Sequence, residues 1–155
     1  MIIFLFVVCY IVGAELIIFW VAPLFGCDFI NAAQASGVNE QKVTLVLSLS
    51  PIVTAVLGMF VSGRAISSDY QQTGSYDFSP AGFLRNVTMP YLWTHVGVFF
   101  GMILIFIGKD TYYALVDPMG RFKATFFLIA IAPLVGAMLS LLLLLFPRSP
   151  FRPLD

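Results

Sequence analysis

The sequence predicts an all-α, polytopic membrane protein: a bundle of four transmembrane helices with short loops, in a single domain over residues 1–155. The chain is 60% hydrophobic and 10% charged, and its mean hydropathy is +0.97. Soluble domains are nearer 45–50% apolar and about 25% charged. The apolar residues fall in four runs, each of about 20 residues or more, which is enough to cross a hydrocarbon core of about 30 Å. None of the runs alternates apolar and polar residues as barrel strands do.

The first apolar run covers residues 1–26 and is interrupted by a single charged residue, Glu15. We expect it to be a retained anchor and not a cleaved signal peptide, because no basic stretch precedes it and apolar residues continue through Trp20. In lipid the backbone must satisfy its own hydrogen bonds, which continuous runs achieve as helices. The other three predicted spans are residues 43–63, 87–108 and 124–146.

The connections between the spans are polar and too short for a folded soluble domain. In the second connection, Ser79 followed by Pro80 is typical of a helix N-cap with proline at the first helical position. We therefore expect residues 80–84 to form a short interfacial helix that leads into the third span. Three prolines between residues 147 and 155 prevent the fourth helix from continuing.

Small residues at four-residue spacing predict how the helices pack. Apolar bulk gives no preference for one helix face over another in lipid, so close backbone contact at small residues drives association. The expected packing positions are Ser50, Thr54, Gly58 and Ser62 on the second span, Gly97 and Gly101 on the third, and Ala132, Gly136 and Ser140 on the fourth.

Aromatic residues make up 15% of the chain, with sixteen Phe, six Tyr and two Trp. A small four-helix core cannot hold so many, so a large share must face lipid or another protein. Tyrosine and tryptophan near the ends of spans are typical of interfacial belts. We expect such belts to include Tyr91, Trp93, Tyr112 and Tyr113.

Glu15 lies near the middle of the first span, where an ionisable side chain indicates a functional site. Two interpretations stay open: a proton or cation site, or a neutral carboxyl group that contacts a neighbouring helix or a partner subunit. At 1.5 Å per residue, Glu15 lies roughly 20 Å from the shared side of the membrane and His95 roughly 10 Å. We therefore expect Ser48 or Ser50 to be the partner of Glu15. Thr54 is nearer to His95 in depth.

His95 is the only histidine. A lone histidine cannot supply both axial ligands of a bis-histidine haem, although it could supply one if a partner chain supplied the other. The alternative is a hydrogen-bonded histidine near the headgroup region. Together, Glu15, Ser48, Ser50, Thr54 and His95 are the candidate intramembrane polar site, for an ion or a partner.

Other functional classes lack the residues they require. There is no catalytic motif, no metal-binding spacing and no CxxC, and Cys9 and Cys27 stand apart in the chain. A net charge of zero, from eight basic and eight acidic residues, provides no basic surface for nucleic acid. An enzyme is disfavoured. No catalytic residue, metal or cofactor is predicted, and bound lipid is expected.

These observations favour a non-catalytic integral membrane subunit of a larger multi-subunit complex, such as a secretion, respiratory or transport assembly, which contributes helix packing and assembly contacts. The alternative is a small oligomeric ion or proton transporter or channel that uses Glu15. The expected partners are the lipid bilayer and other membrane subunits or further copies of the chain. The short loops suit a bacterial inner membrane, and an organelle-encoded or organelle-resident subunit is the alternative. Basic residues divide four and four between its two sides, so the positive-inside rule only weakly favours cytoplasmic termini.

Overall fold

The computed structural model describes residues 2–77 and 79–145. In those ranges the chain contains helices and no strands, and four of the helices are long and apolar enough to cross a membrane. The prediction of an all-α chain with four such helices is confirmed. The predicted ends at Met1 and Phe146 lie outside the described residues. The four long helices are α1 (residues 2–24), α3 (Glu40–Thr73), α4 (Pro80–Ile107) and α6 (residues 121–145), with the short helices α2 (Phe29–Ala35) and α5 (Lys109–Val116) between them.

Polar caps set the ends of α3 and the start of α4. The Asn39 side chain accepts a hydrogen bond from the Lys42 amide at the start of α3, and Gly74 ends the helix at a φ of 71°. At 34 residues, α3 extends ten residues past the apolar run. The Ser79 hydroxyl accepts from the Gly82 amide, as the sequence predicts. The short helix expected at residues 80–84 forms as Pro80–Phe83, and it continues without a break through the following turns as the start of α4.

The long helices pack as an antiparallel bundle in which α1 contacts α6 and α3, and α4 contacts α3 and α6. Gly13, near the middle of α1, lies against Gly136 of α6. Just past the end of α1, the carbonyl oxygen of Phe25 accepts a hydrogen bond at 2.9 Å from the ammonium group of Lys123, near the start of α6. The end of α1 therefore lies beside the start of α6. The short connections produce this up-and-down order because each one joins neighbouring helices.

Three of the long helices contain a five-residue π-helical turn followed, one residue later, by a proline. The turns are Ile17–Val21, Leu84–Thr88 and Phe127–Ile131, and the prolines are Pro23, Pro90 and Pro133. A proline ring clashes with the carbonyl four residues earlier in an α-helix. The wider π turn moves that carbonyl away, so these helices continue through their prolines.

Glycine positions show which of the predicted stripes form close contacts. A Cβ atom at Gly58 would lie 2.6 Å from the Tyr91 ring, and one at Gly136 would lie 2.7 Å from the carbonyl oxygen of Tyr10. In contrast, a Cβ at Gly97 or Gly101 would meet nothing within 4 Å. The expected packing at these two glycines is therefore not seen among the described residues, none of which lies within 4 Å of such a Cβ.

The rest of the predicted packing set lies on buried faces. Ser50, Thr54 and Ala132 are 0% exposed, and Ser62 is 5% exposed. The Ser62 hydroxyl has no hydrogen-bond partner in the described part of the chain. Nothing is described of the Ser140 side chain.

The aromatic residues divide between the surface and the core differently from the prediction. Trp93 is 70% exposed on α4, in keeping with an outward position. Tyr91 and Tyr112 are only 1% and 4% exposed, so their assignment to an interfacial belt is wrong. Both hydroxyls find partners inside the fold: Tyr91 donates to the Ala55 carbonyl, and Tyr112 pairs with Thr125. These internal bonds are what permits a tyrosine to be buried.

A polar cluster joins the long end of α3 to the start of α4. Arg85 donates to both carboxylate oxygens of Asp69, at 2.8 and 2.9 Å, and the Asn86 amide donates to the same carboxylate at 3.0 Å. Asp77 lies 3.6 Å from Arg85. Hydrogen bonds from Ser79, with help from Arg85, lower the pKa of the Asp77 carboxyl group. This cluster holds the second connection against the helices.

Candidate functional site

The centre of the bundle contains one polar cluster to which all four long helices contribute. His95 of α4 places its Nδ1 atom 3.2 Å from the Thr54 hydroxyl of α3 and 3.4 Å from the Tyr10 hydroxyl of α1. Its Nε2 atom lies 2.9 Å from the carbonyl oxygen of Leu128 in α6. We call these three side chains and this carbonyl the His95 cluster.

The Leu128 carbonyl is available because of the π turn and Pro133. At this turn the backbone bonds span five residues, since the Ala132 amide donates to the Phe127 carbonyl. With the same five-residue spacing, the Leu128 carbonyl would accept from the amide of residue 133. Residue 133 is a proline, which has no N–H to donate. In a regular α-helix, Pro133 would instead leave the Ile129 carbonyl, four residues earlier, without a donor. The π turn shifts the free carbonyl to Leu128, and His95 pairs with it.

The hydrogen bonds define the state of the imidazole ring. A backbone carbonyl can only accept, so Nε2 carries a proton and donates to Leu128. With the neutral ring, Nδ1 accepts from the hydroxyls of Thr54 and Tyr10. Neither nitrogen points at an open coordination position. The arrangement does not fit the alternative in which His95 is an axial haem ligand.

The cluster is closed to the outside. Tyr10, Thr54 and His95 are each 0% exposed. The Tyr10 ring packs on the Tyr91 ring at a centroid distance of 4.9 Å, and the His95 ring stacks on Phe99. A buried polar group without a partner destabilises the fold, whereas a fully bonded network favours one arrangement of the helices. Chemically, the cluster can fix helix register, but it gives no solute access to its atoms.

The structure does not bring Ser48 or Ser50 to Glu15. The Ser50 hydroxyl donates to the Val46 carbonyl of its own helix. Ser48 is partly exposed and lines a shallow groove of about 510 Å³ on the outer side of α3, together with Glu40, Thr44 and Ile52. The groove is polar at the end near the start of α3 and apolar beyond it.

Glu15 lies apart from the His95 cluster, at the edge of the buried face of α1. Its side chain is partly exposed, as are those of Ile11 and Phe19 one turn to either side, and Val12 is 51% exposed. Among the described residues, no hydrogen bond or ion pair reaches its carboxyl group. It therefore combines a mid-helix position, partial exposure and the absence of a described polar partner.

Two members of the cluster, Tyr10 and the Leu128 carbonyl, are not among the sequence-predicted site residues. Tyr10 could be found from the sequence, because five residues before Glu15 places it about 7.5 Å nearer to the depth of His95. The Leu128 carbonyl has a weaker signal, which is the proline five residues later. Among residues 2–77 and 79–145, no three His, Cys, Asp or Glu side chains gather as a metal site.

Comparison of the chain with protein-family models, with curated proteins and with solved structures finds no match. A functional proposal therefore rests on the geometry of the chain itself.

Proposed function

We propose that this protein is a non-catalytic integral membrane subunit of a larger membrane complex, in which it contributes helix packing and assembly contacts. One contrast supports the proposal most strongly. The polar groups of the His95 cluster bond to one another at 0% exposure, whereas the Glu15 carboxyl group is partly exposed and has no described partner. The Glu15 carboxyl group, which folding leaves without a described partner, therefore lies where a neighbouring helix can reach it.

The outer surface supports the same proposal. Large apolar side chains lie exposed on all four long helices, among them Trp20 at 76%, Phe60 at 68%, Trp93 at 70% and Phe126 at 47%. A monomer in water rarely exposes apolar surface on this scale, so bilayer lipid and neighbouring proteins are its natural partners. The groove beside Ser48, which is lined from Glu40 to Ile52 mainly by apolar surface, is the place where we expect bound lipid.

Native mass spectrometry of the protein, extracted from its own membrane in a mild detergent, tests this proposal. We expect the chain in a stoichiometric complex with other membrane polypeptides. A chain that is recovered alone across several mild detergents contradicts it. The same measurement reports copy number and retained lipid.

The second candidate function is a small oligomeric ion or proton transporter or channel that uses Glu15. The partly exposed carboxyl group favours it, because a path between copies could pass this position. The closed His95 cluster disfavours a path through the middle of one copy. Proton and cation flux into liposomes checks this candidate, with Glu15→Gln as the variant. Flux that is absent, or unchanged by the substitution, contradicts it.

We also propose a bacterial inner membrane with both termini in the cytoplasm. This topology places Ala35 outside and Ser75 inside, and both residues are exposed. With Cys9 and Cys27 replaced by alanine, Ala35→Cys should react with an impermeant maleimide on intact cells. Ser75→Cys should react only after permeabilisation. The reverse pattern contradicts the orientation.

A further inference from the structure

We propose that Glu15 is the contact point for a membrane helix of a different polypeptide, one that carries a lysine or arginine near its centre. This inference rests on the proposed function and specifies the partner by its chemistry. The first support is position. Glu15 is nine residues from Leu24 and thirteen from Ile2, so it lies near the middle of α1. At that depth lipid offers no hydrogen bonds to a carboxyl group.

The second support is that folding leaves this carboxyl group accessible. Leu16 and Val12 beside it are 47% and 51% exposed, while Gly13 and Ala14 on the opposite flank are buried against the bundle. A helix laid along the exposed side of α1 would therefore reach Glu15 without displacing any described contact. The surrounding side chains are apolar, so such a contact would be shielded from water.

The third support is charge complementarity, which excludes a second copy of the chain as the source of the cation. The described lysine and arginine side chains lie outside the four apolar runs of the sequence: Lys42, Arg64, Arg85, Lys109, Arg121 and Lys123. His95 is fully buried with both ring nitrogens bonded. Among the described residues, a second copy could offer only its own Glu15 as a charged group at this depth. A cation at mid-membrane must therefore come from another polypeptide, and it would neutralise the carboxylate that lipid disfavours.

Designed peptides can test this without the natural partner. The probe is a leucine–alanine transmembrane peptide of about 23 residues with one central arginine, compared with peptides that carry leucine or glutamate there. Binding to the full chain is followed by energy transfer in phosphatidylcholine vesicles. We expect the arginine peptide to bind at least about tenfold more tightly than the leucine peptide. Moving the arginine two helical turns towards one end should remove that advantage.

The matched variants are Glu15→Gln, which keeps size and removes charge, and Glu40→Gln, which removes an acidic group at the start of α3. Glu15→Gln should bring the arginine and leucine peptides within about twofold of each other, with unchanged helical circular dichroism. Glu40→Gln should leave the preference intact. Equal binding of the arginine and leucine peptides to the unmodified chain overturns the inference. A glutamate peptide that binds as well as the arginine peptide also overturns it, in favour of carboxyl pairing between copies.

The two proposals can fail separately. If native mass spectrometry finds partner subunits but the arginine peptide has no advantage, the assembly role stands and this contact is wrong. If the chain is recovered alone yet prefers the arginine peptide through Glu15, the contact chemistry stands and the proposed membership in a complex is wrong.

Discussion

The Nε2 atom of His95 lies 2.9 Å from the carbonyl oxygen of Leu128, a carbonyl that faces Pro133 in the π turn of α6. Pro133 removes a donor from one helix, and His95 supplies a donor from the next. The same ring joins α1 and α3 through Tyr10 and Thr54. One imidazole thus connects all four long helices at a single level.

His95→Ala should lower the free energy of unfolding by about 2–5 kcal/mol, the range for a large buried side chain truncated to alanine. The substitution leaves a cavity and removes the hydrogen bonds to the Leu128 carbonyl and the two hydroxyls. The free energy can be measured by unfolding in mixed micelles or bicelles. Trp93→Ala on the same helix is the control. Trp93 is 70% exposed, so this substitution should lower the free energy of unfolding by less than about 1 kcal/mol. Similar costs for the two would contradict a structural role for His95.

Pro133→Ala should reduce the contribution of His95 to the free energy of unfolding. Alanine restores an N–H that can bond within α6, so the Leu128 carbonyl no longer depends on the imidazole. In a double-mutant cycle, His95→Ala should cost less in the Pro133→Ala background, with a coupling energy of about 0.5–3 kcal/mol. Pro23 follows a π turn in a different helix, α1. In the same cycle, the effects of Pro23→Ala and His95→Ala should therefore be additive. Additivity at Pro133 would show that the two residues act independently.

Gly58→Ala and Gly97→Ala are the same chemical change in opposite surroundings. A Cβ at Gly58 would overlap the Tyr91 ring, so we expect a loss of about 1–3 kcal/mol. A Cβ at Gly97 meets nothing within 4 Å, so alanine there should be neutral or should stabilise the helix by about 0.5–1 kcal/mol. Unfolding of the isolated chain measures both. A destabilising Gly97→Ala would contradict the open space around this glycine.

Asp69→Ala should destabilise the fold more than Asp117→Ala. Asp69 accepts from Arg85 and Asn86 across two helices, with a side chain 15% exposed, so about 1–3 kcal/mol is expected. Asp117 pairs with Arg121 four residues later, and both are at least half exposed, so solvent screening should leave its loss with little effect on the free energy of unfolding. Unfolding at low and moderate salt gives both values. The reverse order would show that the Asp69 cluster contributes little to stability.

Protonation of the Asp77 carboxylate should lower the free energy of unfolding in acid. Hydrogen bonds from Ser79, and Arg85 nearby, hold the pKa of its carboxyl group below the ordinary value. A group whose pKa is lower in the folded state stabilises the fold above its unfolded pKa, about 3.9, and loses that effect as pH falls through the folded pKa. The unfolding midpoint should therefore decline below about pH 4, and Asp77→Asn should make the decline shallower. The decline is small because the group is exposed. A profile unchanged by Asp77→Asn would contradict this.

Counting residues along each predicted span recovered part of the candidate site. Helical rise alone brought Thr54 close to His95 in depth, and the structure pairs them at 3.2 Å. The same arithmetic favours Ser48 or Ser50 as the partner of Glu15, yet the Ser50 hydroxyl bonds to Val46 of its own helix and Ser48 lines the outer groove of α3. Depth depends only on position along the axis, whereas a contact also depends on the direction in which a side chain leaves the helix. That direction follows from which helices are neighbours.

The sequence by itself determined that the chain forms four long apolar helices, because the lengths of its apolar runs and the capping residues at Ser79 and Asn39 are local properties. Only the tertiary structure decided that Tyr91 and Tyr112 are core residues, that Gly58 packs while Gly97 does not, and that the Leu128 carbonyl bonds to His95. Each of these depends on the rotation of a helix about its axis, and the π turns change that rotation within α1, α4 and α6. The sequence alone places Glu15 near the middle of the first span. Only the packed bundle shows that Glu15 lies at the outer side, without a partner among the described residues.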